Sequence, residues 1–329
     1  MSAAPRVSAL PFPAADGVDD GASAAPRVSV ILPAYYSDAR IADCLEALRG
    51  QTMGGFEVVV VNSSPEERTG QIVQERFPEV IFWQSPRRLL PHAARNVGVG
   101  LATGQVLVFS DPDCVPQPDW LERLLRAHWA GHAVVQGSMA LRDAGWLARG
   151  IHLCKWHALL PGLPPRRLTA VASGNACYAR EAWEAAGPFA GHLFCGDTLL
   201  SWRAAARGYA LWFEPRAVVA QAHPGSAWEF ARERLGRGWE YGRVRLEYER
   251  WSRGRAALYL ALLPLLPWLV LARAGWASAR SGWLGSYLRT LPVQCVGQAA
   301  WSLGEARAHL GHLLRGASRS SLEASTAQP

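Results

Sequence analysis

This sequence predicts an α/β fold: a mostly parallel sheet flanked by helices, followed by apolar helices at the C-terminus. Three observations carry that prediction. Continuous apolar runs at 28–32, 56–61, 80–83 and 106–110 lack polar alternation, as strands buried on both faces do. Segments with apolar residues at helical spacing lie between them, which makes a βαβαβαβ series. After His223 the composition shifts to an Arg-rich stretch and then to two long apolar stretches.

Taken in order, the chain opens with an Ala-, Pro-, Gly- and Asp-rich stretch over 1–26 that has no periodicity and reads as a disordered tail. Val28 to Leu32 is a strand that Pro33 stops. Ile41, Cys44, Leu45 and Leu48 give a helix over 39–50, closed by Gly50. Phe56 to Val61 is the second strand, 66–77 a helix and Val80 to Trp83 the third strand. A helix from His92 to Leu101 precedes strand 106–110. Beyond it the pattern gives a helix at 119–130 and a strand at 133–140. A strand at 170–173 runs into Gly174-Asn175-Ala176, and helices follow at 181–186 and 197–207. One or two strands occupy 210–220. The predicted organisation is an α/β domain over 27–225, in two halves that meet at 118/119. An Arg-rich helical segment over 226–255, a membrane-associated helical hairpin over 256–315 and a tail over 316–329 complete it.

Composition narrows the function classes. Half of the 329 residues are hydrophobic and 19% are charged, enough apolar content for a large core. The net charge of +7 is uneven: Lys155 is the only lysine, and arginines crowd 232–255. Such a segment suits nucleic acid, anionic lipid or phosphorylated substrates, or is a solvated helical face. No RNA-binding signature, helix-turn-helix pattern or zinc-finger spacing accompanies it, so no nucleic-acid partner is expected. The six cysteines form no CxxC pair, as fits reduced thiols. No basic segment followed by an apolar stretch opens the chain, so its chemistry is expected on the cytosolic side. The apolar stretch 256–272 has no charge but is short for a span and contains Pro264 and Pro267; 282–303 contains Arg289, Gln294 and Gln298. In-plane helices, a spanning hairpin and buried helices of a soluble domain all fit; a hairpin would carry Arg273 and Arg280 across.

The chemistry centres on Asp111-Pro112-Asp113, directly after the strand 106–110. Two carboxylates one residue apart, at the carboxyl end of a parallel strand, occupy the place where open α/β sheets bind ligands. Hard oxygen ligands there suit Mg²⁺ or Mn²⁺. The tripeptide alone also fits a polar turn that caps the helix near Trp120.

In sequence order these pieces resemble the family 2 glycosyltransferases, which have a GT-A fold. The resemblance runs over about 28–315. Val28 to Tyr35 resembles the family's opening strand and proline turn, which points to Pro33 as a donor-side residue. Val58 to Glu66 resembles its second strand and nucleotide-contacting loop, with Asn62 where the family usually has Asp. Ala94-Arg95-Asn96 with Gly98, then Ala102-Thr103-Gly104, resembles the stretch before the metal motif; Arg95 is either a phosphate contact or a solvated helix-face residue. Phe109-Ser110-Asp111 with Asp113 and Cys114 resembles the metal-binding DXD segment. Gly174-Asn175-Ala176 and Gly196-Asp197 to Arg203 resemble the acceptor half, in which the family usually has Glu-Asp.

The resemblance implies an inverting glycosyltransferase that moves a sugar from a nucleotide-diphosphate donor to a hydroxyl acceptor, a cell-envelope or lipid-linked glycan, at the cytoplasmic face of the membrane. It implies Mg²⁺ or Mn²⁺ on Asp111 and Asp113, with His223 as a third ligand or a packed residue. Pro33, Asn62, Arg95 and Asp111 would face the donor, and Gly174 and Asn175 the acceptor, unless that pair is a plain turn. Asp197 would be the base, a role compatible with capping its helix. No Gln-x-x-Arg-Trp motif of processive members is present. Asn62 and the missing Glu keep a second reading open: a catalytically weak nucleotide-sugar-binding scaffold of a glycan-assembly complex.

Overall fold

A computed structural model of the chain describes residues 28–143, 145–223 and 225–314; the predicted tails at 1–26 and 316–329 lie outside them. In chain order the first elements are β1 (Val28–Ala34), α1 (Ile41–Arg49), β2 (Phe56–Asn62), α2 (Arg68–Arg76), β3 (Ile81–Gln84), α3 (Pro91–Leu101) and β4 (Val106–Ser110). Next come β5 (Cys114–Pro116), α4 (Trp120–Trp129), β6 (Val134–Leu141), α5 (Trp146–Trp156), β7 (Arg166–Leu168) and β8 (Asn175–Ala179). Then follow α6 (Arg180–Ala186), α7 (Gly196–Ala206), β9 (Leu211–Gln221) and α8 (Ala227–Tyr248). The last are α9 (Arg253–Leu262), α10 (Leu266–Arg280), α11 (Leu284–Arg289) and α12 (Leu291–Leu314).

The chain divides into two compact units. Among the described residues, the first comprises 28–140, 164–192 and 196–221; the second comprises 141–143, 145–163, 193–195, 222–223 and 225–314. The division is therefore not a single cut near 225, because two short segments from within the predicted catalytic domain group with the C-terminal helices.

In the first unit, among the described residues, one nine-stranded sheet runs β3-β2-β1-β4-β8-β6-β9-β5, with β7 also on β9. Strands β3, β2, β1 and β4 are parallel, while β8 pairs antiparallel with both β4 and β6. β1, β2 and β4 are buried along their whole lengths, which is why their sequences are continuous apolar runs. Ile31, Val59, Val61, Leu107 and Phe109 share one core with Tyr178 and Phe189. The register aligns Ala34 with Asn62 and Asn62 with Gln84, and so brings three loop beginnings together at the carboxyl end.

One predicted strand is displaced. Residues 170–173 are not a strand; the strand is Asn175–Ala179, aligned so that Asn175 faces Ser110. Val171 instead donates its N–H to the Ser201 hydroxyl at 3.0 Å. The short strands β5 and β7 and the helix α5 were not expected. α5 buries Ala148, Gly150, Ile151, His152, Leu153 and Cys154, so its sequence has no one-sided apolar stripe to reveal it.

The second unit is helical. α8 opens with a reciprocal cap: Ser226 accepts from the Glu229 N–H, and Glu229 accepts from the Ser226 N–H. Its Gly238 and Gly242 face α12: a Cβ on Gly238 would lie 2.2 Å from Trp301 O, and one on Gly242 2.9 Å from Ala308 Cβ. A Cβ on Gly297 of α12 would lie 2.6 Å from Cys154 Sγ of α5. Among the described residues one helical stretch, Arg253–Arg280, is long and apolar enough to cross a membrane, and only 17% of its most apolar window is buried. The reading as buried helices of a soluble domain is thus set aside for this stretch.

Candidate active site

Asp111 leaves β4 where the strand's apolar side chains end. Its backbone C=O accepts from the Cys114 N–H at 3.0 Å, closing a turn that carries Asp113 back beside it. The ligand atoms of Asp111, Asp113 and Cys114 all lie within 4.8 Å of one another. Burial and the carboxylates of Asp113 and Asp111 push the Cys114 thiol well above its ordinary range. The carboxylate oxygens of the two aspartates are a hard donor set suited to Mg²⁺ or Mn²⁺.

Arg95 is not a solvated residue. It is 2% exposed, and its guanidinium forms an ion pair with Asp111 Oδ1. The same nitrogen lies 3.5 Å from Ser173 O. Gln221, at the end of β9, places its amide nitrogen 3.4 Å from both oxygens of Asp113. Sequence reasoning missed Gln221, because nothing marks it except its place at the end of an apolar run.

On the donor side, Pro33 is buried in β1 opposite Val61 of β2. Asn62 is fully buried and its amide is spoken for: Nδ2 donates to Gln84 Oε1 at 2.8 Å, and Oδ1 accepts from the Ser64 hydroxyl at 2.9 Å and the Ser64 N–H at 3.3 Å. Gln84 in turn donates to the carbonyls of Ser64 and Ser85. The loop after β1 carries exposed Tyr35 and Tyr36, with the Arg88 guanidinium 4.6 Å from the Tyr35 ring centre.

Asp197 sits in the first turn of α7. Its Oδ2 accepts from the Ser173 N–H at 3.1 Å, and its Oδ1 accepts from the Thr198 N–H at 2.8 Å. The ring of His92, in the first turn of α3, lies against it. The Asp197 N–H donates to His92 Nε2 at 3.3 Å, and that nitrogen is 3.9 Å from Asp197 Oδ1. A Cβ at Gly196 would come within 2.8 Å of His92 Cδ2 and 3.0 Å of Ala190 O. His92 thus takes the space that a larger side chain at 196 would need.

Gly174 also makes room: a Cβ there would lie 2.9 Å from Asp111 Oδ2. Asn175 does not line an open surface. It is wholly buried, accepts from Trp120 Nε1 at 2.8 Å, and donates to the carbonyls of Ser138 and Ala217 at 2.8 and 3.0 Å. That amide clasps sheet strands to α4, so an acceptor-facing role for this pair rests on Gly174. His223 belongs to the second unit. Its Nε2 lies 3.1 Å from His152 Nδ1, and its N–H donates to Asp143 at 2.6 Å.

Two stretches of the predicted motifs are structural. Asn96 exchanges two hydrogen bonds with the Phe189 backbone. Thr103 and Gly104 close the amino end of the sheet through Glu57 and Ser29.

Residues 29–184 match the family model described as glycosyl transferase family 2. Glycosyltransferase AglE of Haloferax volcanii is 28% identical over 200 residues, 58% of this chain and 65% of its own length. Putative glycosyltransferase EpsH of Bacillus subtilis is 34% identical over 107 residues, 31% of this chain and 30% of its own length. The alignments thus span less than two thirds of these relatives. Among solved structures, a mannosyltransferase from Pyrobaculum calidifontis in complex with GDP-Man and Mn²⁺ superposes with a TM-score of 0.61 at 21% identity, covering 88% of each chain. The sheet, the paired aspartates and the family match agree: residues 29–184 carry the family 2 glycosyltransferase sequence, on a GT-A fold whose sheet runs on to β9.

Proposed function

We propose that the chain is a glycosyltransferase that moves a sugar from a nucleotide-diphosphate donor to a hydroxyl of a glycan or lipid-linked acceptor, with inversion, at the cytoplasmic face of the membrane. The observation that carries this reading is the pair Asp111 and Asp113 just beyond the end of β4, with their carboxylate oxygens within 4.8 Å of one another. Mg²⁺ or Mn²⁺ held by Asp111 and Asp113 would neutralise the charge that develops on the leaving diphosphate. The solved relative with GDP-Man and Mn²⁺ supports the choice of donor class and metal.

The remaining work falls to this chain's own groups. Asp197, oriented by Ser173 and Thr198, takes the proton from the acceptor hydroxyl as it attacks. One base and one displacement give inversion. Arg95 holds Asp111 in place from below. Because the Asn62 side chain is fully buried and bonded to Gln84 and Ser64, recognition of the base falls to neighbouring groups, among which Tyr35 is exposed. On α9, α10 and the turn between them the residues Leu258, Leu262, Leu265, Trp268, Leu269 and Trp276 are all exposed, and this supports the membrane location.

The test is release of nucleoside diphosphate from a panel of UDP-, GDP- and dTDP-sugars with Mn²⁺, Mg²⁺ or chelator. Metal-dependent turnover that Asp111→Asn and Asp197→Asn each lower by at least about 100-fold supports the reading. Metal-dependent binding without turnover, and an in vivo glycan product unchanged by Asp197→Asn, would replace it with the scaffold role.

A further inference from the structure

The geometry points to His92 as a positioning residue: its Nε2, by accepting from the Asp197 N–H, fixes the first turn of α7, and with it the direction in which Asp197 presents its carboxylate. This deepens the proposed glycosyl transfer and rests on Asp197 being the base.

Four observations support it. The Asp197 N–H donates to His92 Nε2 at 3.3 Å, so the ring accepts at this nitrogen and holds the backbone from which the carboxylate springs. The ring is itself fixed: it is 3% exposed and stacks on Phe189 with centres 4.9 Å apart and planes 18° from parallel. Gly196 leaves no alternative packing, because any Cβ there would meet His92 Cδ2 at 2.8 Å. Finally, His92 and Arg95 are three residues apart on α3 and so share a face. His92 holds Asp197 while Arg95 holds Asp111, and Ser173 bonds to both ends: its N–H donates to Asp197, and its C=O lies 3.5 Å from Arg95. One turn of α3 therefore sets the separation between the diphosphate side and the acceptor side. A carboxylate displaced by a fraction of an ångström from the attacking hydroxyl loses much of its value as a base.

The experiment compares full-length wild type, His92→Phe, His92→Gln and Asp197→Asn, using whichever nucleotide sugar of the panel is turned over with Mn²⁺. Phenylalanine keeps the ring and its stacking on Phe189 but removes the acceptor; glutamine keeps an acceptor. His92→Phe is expected to lower kcat by about 10- to 100-fold with the donor KM within about threefold of wild type. His92→Gln is expected to recover most of that kcat. Hydrogen–deuterium exchange is the second measurement: His92→Phe should speed exchange in the 196–201 segment and leave β1 and β4 unchanged, and His92→Gln should restore protection. Equal kcat in His92→Phe and wild type, equal impairment in both His92 variants, or unchanged exchange at 196–201 would overturn the inference. Full activity in Asp197→Asn would instead overturn the base assignment on which it rests. If no donor is turned over, the exchange measurement decides alone.

Discussion

Asn62 stands where an aspartate is usual in the family, and its surroundings argue that the exchange is now built in. Nδ2 donates to Gln84 Oε1, and Gln84 uses its own N–H groups on the carbonyls of Ser64 and Ser85. An aspartate at 62 would set a carboxylate oxygen against Gln84 Oε1. Turning the Gln84 amide over would relieve that contact only by giving up the two carbonyl bonds. Asn62→Asp is thus expected to cost about 1–3 kcal/mol of stability, read as a lower Tm, and not to improve donor binding; a raised Tm would show that Gln84 is not the constraint. Gly196 is the same kind of position. Gly196→Glu recreates the usual acidic pair on paper, but its Cβ would meet His92 Cδ2 at 2.8 Å and the Ala190 carbonyl at 3.0 Å. The expected result is at least about a tenfold loss of turnover together with a lower Tm; wild-type turnover would count against the contact. Both departures were legible in the sequence as departures. Their partners were not, because Gln84 reaches Asn62 through strand register and His92 reaches Gly196 across more than one hundred residues.

At the scale of elements, what the sequence revealed depended on how each element is buried. β1, β2 and β4 pack on both faces and appear as mainly apolar runs without polar alternation, so they and Asp111 just after β4 could be placed in advance. β8 was misplaced by a few residues, since its Gly174-Asn175 start has the composition of a turn while Asn175 is in fact a clasp between strands and α4. α5 escaped notice because it is covered on most sides. The pairing of α8 with α12 is written in glycines: a Cβ on Gly304 would lie 2.2 Å from Leu235 O and 2.6 Å from Trp239 N, both rigid backbone atoms. The two backbones could not come this close with any side chain between them. Gly304→Ala is therefore expected to destabilise the helical unit by about 1–3 kcal/mol or more, seen as faster hydrogen exchange in α8 and α12. Half-buried Gly311, whose Cβ would meet nothing within 4 Å, supplies the control: Gly311→Ala should be neutral or slightly stabilising.

For the whole molecule, buried thiols set an alkaline limit and an exposed apolar face makes the proposed membrane location testable. Burial pushes Cys177 from 9.0 up to about 12, and burial pushes Cys44 up as well. Below pH 9 both folded and unfolded chains hold these protons and nothing is lost. Above it the unfolded chain releases them while the native one does not, so stability falls with rising pH by about 1.4 kcal/mol per unit for each such thiol until the native pKa is reached. Tm should drop between pH 9 and 10.5, less steeply in Cys177→Ala. The apolar face concerns α9 and α10. Residues 256–272 carry no charge and are bounded by Arg253 and Arg255 before them and Arg273 and Arg280 after. Seventeen helical residues reach roughly 26 Å, short of the roughly 30 Å of a hydrocarbon core. Arginines at both ends and exposed Trp268 and Trp276 fit a helix lying in the interface. The full chain is thus expected to co-sediment with vesicles containing anionic lipid, and Leu265→Glu with Trp268→Glu should weaken that binding by at least about tenfold. Labelling decides the orientation. With Leu258→Cys and Ala279→Cys introduced singly in place of exposed residues at the two ends of the stretch, an impermeant maleimide added outside should reach both when the protein is bound from outside. Protection of one end only would mean that the stretch crosses the bilayer, and the in-plane arrangement would fall.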